Sequence, residues 1–152
     1  MHTPVGDITI FEEEGAIVAL DWGWAGSDGP AGAGNGSPLL HRARDQLDAY
    51  FDGTLTRFDL NLAPRGTEYR RRVWHALCDI PFGETRSYLD IARAAGGSPR
   101  SVGQANGSNP IPIIIPCHRV VATTHLGGYS GAGGLDTKRW LLAHESPTAT
   151  LL

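Results

Sequence analysis

Between Pro110 and Val121 an apolar run, Ile113 to Ile115, ends in Pro116 and is followed directly by a thiol, an imidazole and a guanidinium: Cys117, His118 and Arg119. Apolar runs of this kind usually disappear into a core, whereas these three side chains are among the more reactive or polar available. A free thiol has a pKa of about 8.5 and is mostly protonated at neutral pH, so a cysteine that attacks an electrophile needs an assisting base. His118 is the adjacent base. Neighbouring side chains of an extended segment point apart, which favours a proton path through a water over direct contact. Arg119 reads as a structural ion-pair or backbone partner. The second cysteine, Cys78, sits beside the apolar stripe of a predicted helix and reads as a small buried residue.

The elements that must position these groups sit in a chain of 152 residues, long enough for a real core in one domain or two small ones. An apolar fraction of 41% with 19% charged residues describes a soluble globular protein. No apolar stretch approaches the length of a membrane span, and "MHTPVGD" lacks the basic and apolar regions of a signal peptide. The expected address is cytoplasmic, with no membrane partner and with both cysteines as thiols. Charge divides unevenly. Residues 1–64 carry three arginines and ten acidic side chains, a net −7, whereas 65–119 carry eight arginines and four acidic side chains, a net +4. An acidic support and a basic working half follow, and the basic half could face phosphates; "RRR" at 70–72 also fits an ordinary solvated helix face.

"DITIFEEEGAIVALDW" predicts two strands around a turn at Gly15, with Ile8 and Ile10 on one face and Ile17 to Leu20 largely apolar. "GWAGSDGPAGAGNG" predicts a mobile loop. In "SPLLHRARDQLDAYFDG" the residues Leu40, Ala43, Leu47, Tyr50 and Phe51 recur at helical spacing, and Gly53 stops the helix. Alternation returns in "RFDLNL", where a strand would put Phe58, Leu60 and Leu62 on one face. The expected fold is therefore α+β: a small N-terminal α/β domain of sheet plus helix over 1–64, joined through "APRG" to a mostly helical C-terminal domain over 65–152. In the second, "TEYRRRVWHALCDI" places Tyr69, Val73, Trp74, Leu77 and Ile80 on one stripe and leaves Arg70 to Arg72 largely solvated.

"SYLDIARAAGGSPRSVGQANG" predicts a short helix, a Gly-Gly turn, and a second helix with Ser98 as N-cap and Pro99 at its first position, a helix-turn-helix of winged-helix-like type. With Val102 and Ala105 inward, the second helix would show Arg100, Gly103 and Gln104 outward and Asn106 and Gly107 at its end. So little bulk lets a backbone press close to a ligand. Readers of the major groove project long polar side chains, so a slim helix with one arginine suits a narrower groove, or a wedge into the base stack.

The run "NPIPIIIPCHRVV", with "SPRSVGQANGSNP" before it, "GYSG" after it and "KRWLLAHE" at the end, resembles the O6-alkylguanine-DNA alkyltransferases, the methylated-DNA-protein-cysteine methyltransferases. "TPVGDITIFEEEGAIVALDW" and "FGETRSY" extend the resemblance to nearly the whole chain. It implies single-turnover repair of O6-alkylated guanine in double-stranded DNA, by a monomer that needs no cofactor. Cys117 would be the alkyl acceptor, His118 its base through a water, and Glu145 the carboxylate that orients the imidazole, a relay related to the familiar triads. Asn109 matches the asparagine that ties the helix-turn-helix to the active-site segment. Tyr88 matches the tyrosine that crowds the target phosphate and protonates the departing purine. Arg100 matches the finger that fills the stack once the nucleotide is flipped, on a helix whose Gly103 and Gln104 face the DNA. Pro112, Val120, Tyr129 and Ser130 resemble the walls and rim of the base pocket. The turn before Arg100 is short, and "GYSGAGGLD" is two residues longer than in some relatives. Certain relatives bind zinc through N-terminal cysteines and histidines; the N-terminal half here has no cysteine, and His2 and His41 are too few, so no metal is expected.

Two other classes fit parts of the pattern. Alkyltransferase-like proteins recognise lesions without removing them, but carry tryptophan at the acceptor position, where this chain has Cys117. A cysteine hydrolase would use Cys117 and His118, yet its base must reach the thiol directly, and adjacency suits that poorly.

Overall fold

In the computed structural model, which describes residues 1–23, 37–129, 131 and 133–146, the alternating residues of the N-terminal segment pair as an antiparallel sheet in the order β1-β2-β3. Its strands are β1 (His2–Thr3), β2 (Gly6–Glu13) and β3 (Ala16–Trp22). Glu13 pairs with Ala16, so the hairpin turns on Glu14 and Gly15 alone, with φ of 50° and 81°. Positive φ at both turn residues matches the right-handed twist of the strands, and glycine adopts it without a steric cost. Ile8, Ile17 and Leu20 are buried beneath α1 (Pro38–Phe51). Ser37 caps that helix, its hydroxyl accepting from the amides of Leu39 and Leu40, with Pro38 at the first turn. The buried stripe runs through Leu39, Ala43, Leu47 and Tyr50, so Leu39 takes the place expected of Leu40.

The strand expected over residues 58–62 does not form. Only Leu62 makes a bridge, parallel to Ile17, through the Ile17 amide to Asn61 O and the Ala63 amide to Ile17 O, both 2.8 Å. A side chain satisfies the preceding backbone instead: Gln46 Oε1 accepts from the Asp59 amide at 2.8 Å and Gln46 Nε2 donates to Asp59 O at 3.0 Å. Pro64, which has no N–H, then ends any ladder. The glycine-rich loop lies, from residue 24 through residue 36, outside the described residues.

The second half is helical, as expected. Thr67 caps α2 (Glu68–Cys78), which buries Val73, Trp74 and Leu77 and leaves Arg70 to Arg72 exposed. Cys78 is exposed, contrary to its expected burial, because one residue past Leu77 turns about 100° around the helix and off the stripe. α3 (Tyr88–Ala95) and α4 (Pro99–Gly107) form the helix-turn-helix around Gly96 and Gly97. Each begins with a reciprocal cap, Ser87 with Asp90 and Ser98 with Ser101. α2 clamps the pair: Trp74 Nε1 donates to Ala105 O at 2.8 Å and Tyr69 Oη to Gly96 O at 3.0 Å.

Two short parallel strands decide where the chemistry sits. β4 (Arg86–Ser87), just before α3, pairs with β5 (Val120–Val121), just after a 3₁₀ turn at Cys117–Arg119. Tyr88, the first residue of α3, is thereby held beside that turn. α5 (Leu135–Glu145) packs on the same turn and closes the core with Leu141. Among the described residues no helix is long and apolar enough to cross a membrane.

Replacing Trp74 by Phe keeps an aromatic ring and removes the indole donor from the Ala105 carbonyl, which retains the Ser108 amide and hydroxyl as donors. Urea unfolding should show a loss of about 0.5–1.5 kcal/mol. Arg71→Ala, on the exposed face, should stay within about 0.5 kcal/mol of wild type.

Candidate active site

The apolar run does not continue as an extended segment. The Ile114 amide donates to Pro112 O at 2.9 Å, closing a three-residue turn centred on Ile113, whose φ is +72°. A β-branched residue in that region is strained, and full burial of Ile113 holds it there. Further turns follow at once: Ile115 N to Ile111 O at 2.9 Å, Cys117 N to Ile115 O at 2.8 Å, and Arg119 N to Pro116 O at 3.0 Å. Asn109 spans the fold from both sides, its Nδ2 donating to Ile115 O at 2.8 Å and its Oδ1 accepting from the Ile111 amide at 2.9 Å. Isoleucines 111, 113, 114 and 115 enter the core, and β3 is tied to the run where the Leu20 amide donates to Pro110 O at 2.9 Å. The expectation that Cys117 and His118 lie in an extended segment fails, since both occupy the 3₁₀ turn.

Cys117 is only 4% exposed, and burial pushes its thiol up to about 11 against the opposing influence of Asn109 and the Lys138 ammonium. His118 is wholly buried. Its Nε2 lies 2.7 Å from Glu145 Oε2, whereas its Nδ1 has no hydrogen-bond partner among the described residues. Burial lowers the imidazole pKa, with Glu145 opposing. Burial also works against a charge on Glu145, but hydrogen bonds from His118 and Arg119 outweigh it and hold the carboxyl down at about 2. An ionised carboxylate only accepts, so the imidazole proton is assigned to Nε2 and the free lone pair to Nδ1. Arg119 fills both roles expected of it: Nε and Nη2 donate to Glu145 at 2.7 and 3.0 Å, and Nη1 to Ile80 O at 2.7 Å.

Three further side chains enter this cluster that sequence reasoning did not place there. Tyr50 of α1 donates its hydroxyl to Glu145 Oε2 at 2.6 Å. Lys138 is buried, with Nζ on Val120 O at 2.6 Å and on Gly128 O at 2.9 Å; burial lowers its pKa to about 8, with Cys117 opposing. Asn106, expected at the outer end of α4, is instead buried, because it lies four residues after Val102 and so on the inward face, and its Nδ2 reaches Cys117 O at 3.2 Å. The signal for Lys138 was legible as spacing: Lys138, Leu141 and Glu145 fall on one helical stripe whose middle member is core.

Cys117 separates two cavities. One, of about 280 Å³, is lined by Tyr88, Gly103, Asn106, Gly107, Gly128 and Tyr129 together with Cys117. The other, of about 180 Å³, lies toward β3 and includes Leu20, Asp21, Trp22, Asn109 and Pro112. The Tyr88 hydroxyl is fixed at the rim of the first, accepting from the Gly128 amide at 3.2 Å. Gly127 permits this approach: its φ is +79°, and a Cβ there would lie 2.6 Å from the Tyr88 hydroxyl. The Tyr129 hydroxyl is buried and has no hydrogen-bond partner among the described residues, and its ring meets Trp22 edge-on at 6.3 Å. The residues expected to share one pocket are thus divided. Tyr129 lines the larger cavity and Pro112 the smaller, while Val120 is fully buried, lines neither, and serves Lys138 through its carbonyl. Ser130 lies outside the described residues. Arg100 and Gln104 are exposed on α4, beyond the Gly103 wall.

The imidazole keeps its free lone pair on Nδ1, so a proton taken there would leave a positive charge facing the Glu145 carboxylate. The arrangement also fixes a pH dependence. Both His118 and Glu145 titrate lower in the folded protein than unfolded, so the unfolded chain binds more protons and stability falls as pH falls. Loss should begin below the ordinary histidine value of 6.5 and steepen between 4.5 and about 2, where Glu145 contributes on the order of 3 kcal/mol. Urea midpoints measured from pH 7 to 3 should follow this course. In Glu145→Gln the steep acid segment should flatten while stability at pH 7 drops.

Residues 68–147 match the family profile described as 6-O-methylguanine DNA methyltransferase, DNA binding domain, and residues 1–64 that of its ribonuclease-like domain. A methylated-DNA–protein-cysteine methyltransferase of Methanosarcina barkeri is 45% identical over 150 residues, covering 95% of this chain and 94% of the relative. Among solved structures, Mycobacterium tuberculosis OGT in complex with DNA superposes with a TM-score of 0.81 at 42% identity, covering 95% of this chain and 90% of the other. An O6-methylguanine DNA methyltransferase from Methanococcus jannaschii gives 0.70 at 32% identity, covering 92% and 88%. With both profiles matched and the Methanosarcina relative aligned nearly end to end, this chain belongs to the 6-O-methylguanine DNA methyltransferase family.

Proposed function

We propose that the protein repairs O6-alkylated guanine in double-stranded DNA by transferring the alkyl group, irreversibly and once, to the sulfur of Cys117. The observation that carries this reading is the position of Cys117: a buried thiol at the wall of a cavity bounded by α4 on one side, with a His118–Glu145 pair behind it. Residues 1–64 act as the support domain and residues 65–152 as the DNA-binding and active-site domain, and the protein works in the cytoplasm as a monomer. α4 presents Gly103 and Gln104 to the DNA, and Arg100, exposed in its first turn, fills the stack when the damaged nucleotide turns into the cavity.

The transfer then balances as follows. The Cys117 proton passes through a water to His118 Nδ1, and the imidazolium is stabilised by Glu145. The thiolate attacks the alkyl carbon; the S–C bond forms as the C–O6 bond breaks, and the departing purine takes a proton from Tyr88 at the cavity rim. Tyr88 then regains a proton from solvent, and the His118 imidazolium releases the one it took from the thiol. Tyr129 supplies a hydroxyl to the base and Asn109 keeps the turn in shape. Because burial holds the thiol protonated until a substrate arrives, the sulfur is protected from adventitious electrophiles. The product is a thioether with no labile bond, so the site does not regenerate. A hydrolase is poorly served here: Nε2 faces Glu145, and Nδ1 belongs to the residue next to the thiol.

Cys117→Ala should abolish transfer from a duplex carrying labelled O6-methylguanine while binding to that duplex stays within about threefold of wild type. Residual transfer near the wild-type level, or label on Cys78, would reject the assignment.

A further inference from the structure

Glu145 is the residue on which the proposed relay turns, and one of its hydrogen bonds comes from outside the second half of the chain. Oε2 accepts from three donors, Tyr50 Oη at 2.6 Å, His118 Nε2 at 2.7 Å and Arg119 Nη2 at 3.0 Å, while Oε1 accepts Arg119 Nε at 2.7 Å. Each oxygen offers about two lone-pair sites, so Oε2 is fully used, its three donors sharing them, while Oε1 takes a single donor. Tyr50 is fully buried and lies ninety-five residues from Glu145, on α1.

Its hydroxyl has little freedom. The ring is boxed by Phe51, Phe58, Phe82 and His144, with centroids 5.1, 5.5, 6.1 and 5.1 Å away. Its carbonyl is bonded to His144 Nε2 at 2.6 Å. Facing Glu145 are therefore Tyr50 from α1, His118 and Arg119 from the 3₁₀ turn, and His144 beside it on α5, with Cys117 and Lys138 beyond His118. Since Glu145 is ionised, Tyr50 can only donate to it. A strong donor on Oε2 draws charge from the oxygen that holds the imidazole proton, so it limits how firmly Glu145 can stabilise an imidazolium.

We infer that Tyr50 is a positioning residue for alkyl transfer: its hydroxyl fixes Glu145 and sets the basicity of His118, so the N-terminal domain takes part in the chemistry as well as in the fold. This rests on the reading of Cys117 and His118 given above. Without the hydroxyl, Glu145 is a stronger acceptor, the imidazole holds a proton to higher pH, and the base is lost sooner as pH falls.

The test is the rate of methyl transfer from an O6-methylguanine duplex as a function of pH, with thermal unfolding of each variant alongside. In Tyr50→Phe the acidic limb should move up by roughly half a pH unit or more, and the plateau rate should fall several-fold. Phe58→Leu thins one wall of the box but keeps the Tyr50 hydroxyl and its other three ring contacts, so it should lower the melting temperature while moving the limb far less than Tyr50→Phe does. A 3-fluorotyrosine at position 50, with the whole side chain retained and a more acidic phenol, should move the limb the opposite way. A Tyr50→Phe limb superimposable on wild type, or a Phe58→Leu shift of equal size, would overturn the inference while leaving Cys117 as the acceptor. A wild-type protein that transfers no methyl would overturn both.

Discussion

A carboxylate 2% exposed to solvent is the constraint around which this molecule is arranged. Burying a charge costs several kcal/mol unless it is paired and its lone pairs are satisfied. Glu145 meets both conditions by drawing Tyr50 from α1, His118 and Arg119 from the 3₁₀ turn, and its own place at the end of α5 to one point. Arg119 balances the charge and, through Ile80 O, extends the contact to the residues just past α2. Removing any donor leaves part of the carboxylate unpaired in a low-dielectric site, so the cluster tolerates little change. The arrangement that satisfies the charge also places a neutral imidazole next to the thiol.

Reactivity is set against this rigidity. Cys117 sits where desolvation keeps it a thiol, at the end of a run folded tightly enough to force Ile113 into a left-handed backbone conformation. Such strain persists only when the surroundings over-determine it, and here the Asn109 side chain and four buried isoleucines do so. Lys138 adds a second brace, joining β5 to the loop that carries Gly128 and Tyr129. Thiol, imidazole and cavity wall are thus held by independent supports, which suits a site that acts once and need not open to release a regenerated group.

Much of this was legible in the sequence, for identifiable reasons. α1 announces itself through its apolar period and the Gly53 stop, α4 through Ser98-Pro99, and the apolar period of α2 is strong enough to have set Arg70 to Arg72 on the outside. Cys117 and His118 stood out by type and adjacency, whereas Glu145 was marked only by the resemblance of "KRWLLAHE" to the alkyltransferases. Contacts that depend on the meeting of distant segments were hidden. Tyr50 looks like an ordinary stripe residue until Glu145 arrives from the far end of the chain, and Asn106 looks terminal until Cys117 O is placed beneath it. Residues 58–62 have the alternation of a strand, but Gln46 satisfies the backbone there first. The strained turn at Ile113 has no local signature, since isoleucine disfavours it; the Asn109 hydrogen bonds and the packing of the buried isoleucines impose it.

The central claim is that Cys117 accepts the alkyl group once and keeps it. The most direct measurement is the mass of the intact protein, and of its proteolytic peptides, after incubation with a molar excess of O6-methylguanine duplex. One added methyl per chain, confined to the peptide containing Cys117 and unchanged by longer incubation, is the predicted result. A protein of unaltered mass that continues to remove methyl groups from the DNA would contradict it.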